Sequence, residues 1–337
     1  MRRVVGLVLL ALGVFGIVLG LLLPLYAYDR LALVPLNQKS ESISEGKNMT
    51  VFYPSKLRQE RGVDVVATRI VQGNPQAAEA KPDGKVMVWD VGVVVADPDD
   101  IVINSSLDHL CLNRTTNEAV QPCAGEGIED NSDDNKIDSD DAVTHIGLSY
   151  KFPFGTERRD YNYFDNVVKK PFPIRYDSTE VIEGVETYKF VQAIPLTKLS
   201  VPDVRLPGTL VNRPDEASVT ASRYYENTRT VWVEPYSGII VKGQEEQEQT
   251  LRGSDGRPLM TVFGGTLAFN EDTIKKSAAD ASDARSQLRL VRMVGPAVLI
   301  SVGVLFVLVG LVLYLLSLGG ASASGQPSRR EREPQPV

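Results

Sequence analysis

Histidine and cysteine each occur only twice in this chain. There is no G-x-S-x-G elbow, no H-E-x-x-H and no P-loop, and His109 and His145 have no partner pattern beside them. An enzyme built on a recognisable acid–base or nucleophile set is therefore the weakest of the available readings. His145 reads as a structural residue at a strand edge. Basic patches with interleaved aromatics are also missing. The net charge is −7, and the basic tips of the chain leave the remainder more acidic still. That balance argues against nucleic acid as a partner and against electrostatic docking on anionic lipid.

What the chain has in excess is uncharged length near both ends. Val4 to Tyr28 holds no charged residue. The run exceeds the apolar core of a cleaved signal peptide, about 7–15 residues, and reads as an uncleaved membrane helix with Tyr26 and Tyr28 at interfacial depth. Met293 to Leu318 is a second uncharged span. Arg2 and Arg3 before the first span, and Arg329, Arg330 and Arg332 after the second, place both termini in the cytoplasm. The expected organisation is a cytoplasmic tip (1–3), a transmembrane helix (4–28), an extracytoplasmic domain (29–292), a second transmembrane helix (293–318) and a disordered cytoplasmic tail (319–337). Gly6, Gly13 and Gly20, with Gly16, recur in the first span, and Gly303 and Gly310 in the second. Seven-residue spacing keeps small residues on one helix face, where two helices can approach closely.

The domain between the spans is mainly β. Thr50–Tyr53, Val63–Val71, Lys85–Ala96, Ile101–Asn104, His145–Phe152, Glu180–Ile194, Ser218–Val233, Gly238–Thr250 and Leu259–Phe269 are rich in Val, Ile, Thr and aromatics and are separated by turn residues. Tyr236-Ser237-Gly238 marks a hairpin turn. The fold expected is an antiparallel β-sandwich or half-open barrel. One membrane-proximal helix, Glu271–Arg292, carries Asn270 as its N-cap and an apolar stripe from Ile274 to Val291. Cys111 and Cys123 both fall in the translocated part, where an oxidising compartment favours a disulfide worth about 3 kcal/mol.

Glu129–Asp141 holds seven acidic residues in thirteen. Laid on the calcium-loop template it offers Asp130, Ser132, Asp134, the Lys136 carbonyl, Asp138 and Asp141 as ligands, with Asn135 where glycine usually makes the sharp turn. A solvated acidic loop is the competing reading, since an acid-rich run matches the template easily. Calcium is the only cofactor the sequence suggests.

Three stretches carry a resemblance: Asn113–Val120 (NRTTNEAV), His145–Asp165 (HIGLSYKFPFGTERRDYNYFD) and Glu180–Gln192 (EVIEGVETYKFVQ). Together they resemble an actinobacterial PorA-like family of two-span membrane proteins, with Asn113 standing for an Asp, Asn117 for a Gly and Phe164 for a Trp. The resemblance extends to a mycobacterial polar growth factor and implies an envelope protein whose ectodomain binds a lipid or glycolipid beside an envelope lipid transporter. Phe152, Phe154, Tyr161, Tyr163, Phe164, Phe172 and Tyr176 then line an apolar cavity or form ordinary core. The alternative is a non-enzymatic scaffold that binds a membrane partner through its glycine-lined spans.

Overall fold

The computed structural model describes residues 2–81, 84–130, 137 and 141–319. They fall into two compact units, Met1–Leu31 with Gln287–Val337, and Ala32–Ser286. The tail beyond residue 319 lies outside the described residues.

In the first unit, helix α1 (Arg2–Leu22) passes through a π-helical turn (Leu23–Ala27) into α2 (Tyr28–Leu31). Pro24 lacks a backbone N–H, and the wider turn absorbs the lost hydrogen bond. The helical stretch Arg2–Leu31 therefore outruns the expected 4–28 at both ends. Helix α3 (Glu271–Arg289) continues through a second π turn (Leu290–Val294) into α4 (Gly295–Gly319). The stretches Arg2–Leu31 and Glu271–Leu318 are both long and apolar enough to cross a membrane.

Helices α1 and α4 meet along their glycines. A Cβ on Gly13 would stand 2.6 Å from the Gly303 carbonyl oxygen, and one on Gly6 would stand 2.9 Å from that of Gly310. Gly20 is closed off by Ile300 and Pro296, whereas a Cβ at Gly16 would make only an ordinary contact of 3.4 Å. Backbones can come this close only where side chains are absent. The ridges face each other within one chain, so they are not free for the membrane partner that the scaffold reading requires.

The second unit is a curled antiparallel half-barrel. Its strands are β1 (Lys39–Tyr53), β2 (Arg58–Gly73), β3 (Val86–Ala96), β4 (Val102–Asn113), β5 (Gly127–Asp130), β6 (Tyr161–Asp165), β7 (Lys170–Ile182), β8 (Val185–Lys198), β9 (Val204–Pro207), β10 (Ser218–Val233), β11 (Ile240–Arg252) and β12 (Pro258–Phe269). Their order is β5-β4-β3-β2-β1-β12-β11-β10-β8-β7-β6, with β9 pairing β10 off this path. Two meanders thus spread from a central pair, β1 and β12. Alternation is clear on β2, where Val65, Ala67 and Val71 turn to the inner clusters. In β3 the consecutive Met87, Val88 and Trp89 are all buried, as a strand covered on both faces requires.

The free edges of the half-barrel approach each other at one end. Leu112 of β4 pairs with Ala119, Glu118 pairs with Leu148, and Leu148 pairs with Tyr163 of β6. Backbone bonds from Ala119 N to the Gly147 oxygen (2.8 Å) and from Leu148 N to the Asn162 oxygen (2.8 Å) complete the seam. The expected strand His145–Phe152 is therefore not a strand. Gly147 (φ 84°) and Tyr150 (φ 61°) turn the backbone out of the extended region, and only Leu148 joins a pairing.

Asn270 caps α3 by accepting from Thr273 N at 2.9 Å, and Ala278 and Ala281 pack against Val185 and Val241. The β10–β11 hairpin turns at Tyr236-Ser237-Gly238. There the buried Glu234 carboxylate accepts from Tyr236 N, Ser237 N and Ser237 Oγ. Gly238 sits at φ 71°, and a Cβ would meet the Phe152 oxygen at 2.1 Å, so no other residue fits.

Candidate functional site

The inner face of the half-barrel carries charge at mid-height. Charged residues border apolar stretches of the inward rows: Arg69 follows Val65 and Ala67 on β2, Arg229 precedes Val231 and Val233 on β10, and Asp165 follows Tyr161 and Tyr163 on β6. The register holds Arg229 opposite Gln192 of β8 on one side and Glu245 of β11 on the other.

Arg229 is the centre of this belt. Its Nε donates to Glu245 Oε1 (2.8 Å), Nη1 to Gln192 Oε1 (2.7 Å) and Nη2 to Asp165 Oδ2 (3.1 Å), and its guanidinium lies 5.4 Å from the Tyr163 ring centre. The second Asp165 oxygen accepts from Val167 N and Val168 N. Burial pushes the Asp165 carboxyl above its usual range, and Arg229 offsets this only in part. Glu245 keeps 34% of its side chain exposed; burial raises its pKa, but Arg229, with Arg69 and Asn227, outweighs this and holds it below the usual range. Asn227 Nδ2 also donates to Glu245, at 3.1 Å. Arg69 extends the belt: its Nε donates to Ser42 Oγ (3.1 Å), and its guanidinium lies 5.7 Å from the Tyr150 ring centre.

Beyond Tyr150 stands a second cluster. The Tyr150 hydroxyl donates to Asp108 Oδ2 (2.5 Å), and Asn166 Nδ2 donates to the same oxygen (2.7 Å). His145, 1% exposed, lies between two carboxylates, with Nε2 3.1 Å from Asp108 Oδ1 and Nδ1 2.9 Å from Glu126 Oε1. Burial disfavours the imidazolium, but the two acids together overcome it and lift the pKa to about 9. His145 is thus not a strand-edge residue. It is a buried cation that ties residues 126 and 145 to β4.

Cys111 and Cys123 are bonded, with Cα atoms 5.6 Å apart, and pack with Val88 and Ala80 away from the belt. Of the calcium-loop residues, Ser132, Asp134, Lys136 and Asp138 lie outside the described residues. Asp130 ends β5 and pairs with Lys169 Nζ at 3.2 Å. Among the described residues no group of three or more acids, histidines or cysteines is placed to hold a metal. Within the aromatic block, Phe152, Tyr161 and Tyr163 join one core cluster, with Tyr176 packed against it. Phe152 and Phe164 are fully buried, and Phe152 packs on Tyr161, Tyr163 and Phe190 with ring centroids 4.8–5.8 Å apart. Each such side chain contributes about 1.5–3 kcal/mol by leaving water.

The model of the family described as Porin PorA matches residues 5–312. The chain belongs to the Porin PorA family. Two relatives share this description: one from Corynebacterium amycolatum, 26% identical over 92% of this chain and 98% of its own length, and one from Corynebacterium resistens, 24% identical over 94% and 97%. Membership makes the chain a cell-envelope protein. It also corrects the expectation of a lipid- or glycolipid-binding ectodomain working beside a lipid transporter. The relatives are named as porins, and the inner face presents ion pairs where a lipid carrier needs an apolar cavity. The scaffold alternative gains nothing from these matches. The geometry fits the expectation that Asn117 stands for a Gly. Asn117 holds φ 56°, a conformation open to Gly and tolerated by Asn.

Proposed function

We propose that the protein is a non-enzymatic, pore-forming component of a cell-envelope membrane. The Porin PorA match across residues 5–312 carries this reading, because it spans both helices and the whole β-domain. In this reading α1 and α4 cross the membrane, both termini are cytoplasmic, and the β-domain is extracytoplasmic. The strands are not the lipid-facing wall: Glu41, Glu45, Glu246 and Glu248 are exposed on them, and charge at hydrocarbon depth is costly. The helices carry the chain across the bilayer, and the polar interior of the β-domain selects what enters. Charged side chains facing a narrow path are a common basis of selectivity. Here they neutralise one another, so a passing ion competes with Glu245 and Asp165 for Arg229. The likeness to a polar growth factor is taken as one of two-span topology only.

Planar-bilayer recording of the purified full chain tests this. Stepwise conductance is expected, with an altered cation-to-anion permeability ratio in Glu245→Gln. Silence across a wide range of protein concentration and lipid composition would overturn the channel reading.

A further inference from the structure

The helices of one chain leave no room for a path between them. Gly13 meets Gly303 and Gly6 meets Gly310, with Cβ positions 2.6 and 2.9 Å from backbone oxygens. A conducting path must therefore be walled by helices of more than one copy, and the β-domain offers a surface on which copies can meet. The outer face of β2, β3 and β4 carries an apolar patch: Val66, Ile70, Val94 and Val102 are 43–57% exposed. Side chains alternate along a strand, and the inward neighbours Val65, Val71, Val91 and Val95 are buried. The register makes the patch continuous, with Ile70 opposite Gly92, Thr68 opposite Val94 and Val102 opposite Ala96.

Gly92 is the second observation. It lies in the middle of β3, paired on both sides without a bulge, and it does not hold a positive φ. A Cβ there would meet nothing within 4 Å. Gly62, Gly184 and Gly256 have the same open space, but each holds a positive φ that accounts for the glycine. Gly243 of β11 makes room for the Phe269 ring. Gly92 has no such reason within the chain. A glycine inside a strand weakens it, and it marks a place where another backbone comes close.

Charge selects the occupant. The chain carries a net charge of −7, so two copies repel wherever their acids meet. On the outer face of β10 and β11, Glu226 stands directly opposite Glu248, with Glu246 beside them. On β2 and β3 the outward positions from Val66 to Ile70 and from Gly92 to Ala96 are uncharged, and Glu41 and Glu45 of β1 border them on one side only. Like copies can therefore approach there without bringing acids together, and both gain from the apolar area removed from water.

We propose that two copies of this chain meet face to face through the outer surfaces of β2 and β3, about a twofold axis at Gly92 and Val94. The role of the contact, to bring helices of two chains together around one path, rests on the channel reading.

The two native cysteines are bonded to each other, so an introduced cysteine reports alone. The full chain in liposomes, carrying Val94→Cys at the axis, is treated with a short bis-maleimide. The comparison is Thr266→Cys, on the outer face of β12 opposite Glu246. Covalent dimer is expected with Val94→Cys and only background with Thr266→Cys. Adding Ile70→Lys should cut the dimer at least about tenfold, because each copy then brings a charge into an apolar contact. Gly92→Gln should also cut it, while the melting temperature of the β-domain stays level or rises, since strands disfavour glycine. Equal yields at the two cysteines, or a dimer untouched by both changes, would refute the contact. So would a melting temperature several degrees lower in Gly92→Gln, which would mean that the glycine is required within the chain. In bilayers, conductance left intact by Ile70→Lys and Gly92→Gln would sink the contact as the assembly surface and leave the channel standing. Crosslinked dimer without conductance would keep the contact and remove the channel role.

Discussion

Replacing Arg229 with methionine removes the cation that three strands share while nearly preserving the volume it fills. Asp165, 0% exposed, would then face Tyr163 and Tyr225 with no counter-charge, and the Gln192 and Glu245 acceptors would each lose a donor. Removing one partner of a buried pair costs about 3–5 kcal/mol, more than the pair's own net worth, because the survivor stays desolvated. For a domain of this size that corresponds to a fall of about 6–20 °C in melting temperature. The two tryptophans, Trp89 and Trp232, are both buried in the β-domain, so their fluorescence follows this domain and not the helices. The deficit should shrink as pH falls below the raised folded pKa of Asp165 and should vanish below the unfolded carboxylate range, about 4. An uncompensated Asp165 has a folded pKa above its unfolded value, so its protonation favours the folded state. Adding Asp165→Asn should recover about 2 kcal/mol at pH 7. A single-variant loss below about 1 kcal/mol, or one that does not change with pH, would show that the belt is hydrated and loosely held, and the reasoning would fail.

His145 gives a pH dependence of the same sign in a more alkaline window. Its folded pKa of about 9 lies above its unfolded value, so its contribution is complete below about pH 6.5 and is lost as pH rises through about 9. Urea unfolding across that window should show a decline of about 3 kcal/mol that is absent in His145→Gln; parallel profiles would count against the paired imidazolium. In the first unit, Gly13→Ile would drive a side chain into the Gly303 carbonyl oxygen, 2.6 Å from the Cβ position. Far-UV circular dichroism should then show the helices separating or melting at lower temperature while the tryptophan transition is unmoved, and an unchanged helical melt would refute the close approach.

Much of the architecture was legible because it rests on local pattern. Uncharged length marked the two long apolar helices, β-branched and aromatic composition between turn residues marked β2, β3, β10 and β11, and Asn270 announced α3. Other parts were hidden for specific reasons. No strand was expected before Glu180 in this region, and Pro171 and Pro173 are poor strand residues, yet β7 pairs there only with the short edge strand β6, where missing donors are tolerated. His145–Phe152 has the composition of a strand, but Gly147 and Tyr150 adopt positive φ and fold it across the seam. The belt was missed because its members are single charges scattered from Arg69 to Glu245. The usable signal was a charge at an inward position flanked two residues away by buried apolar side chains, as at Val231 beside Arg229. Which acid met which arginine depended on strand order, and no local pattern encodes strand order. His145 shows the same limit, since Asp108 and Glu126 reach it only through the fold.

The central place of β1 and β12 in the sheet has a mechanical consequence. Ser44 of β1 lies opposite Phe269, the last residue of β12, and the two strands are antiparallel, so the chain enters and leaves the sheet on adjacent strands at the same end. Tension applied through α1 and α4 would therefore load this pair as a zipper, one hydrogen-bonded rung at a time, and not as a shear in which all rungs resist together. A zipper yields at low force, and these two strands are the join between the meanders. The glycine contacts of α1 on α4 then act as a strain relief: while the helices stay together, the pull never reaches the first rung.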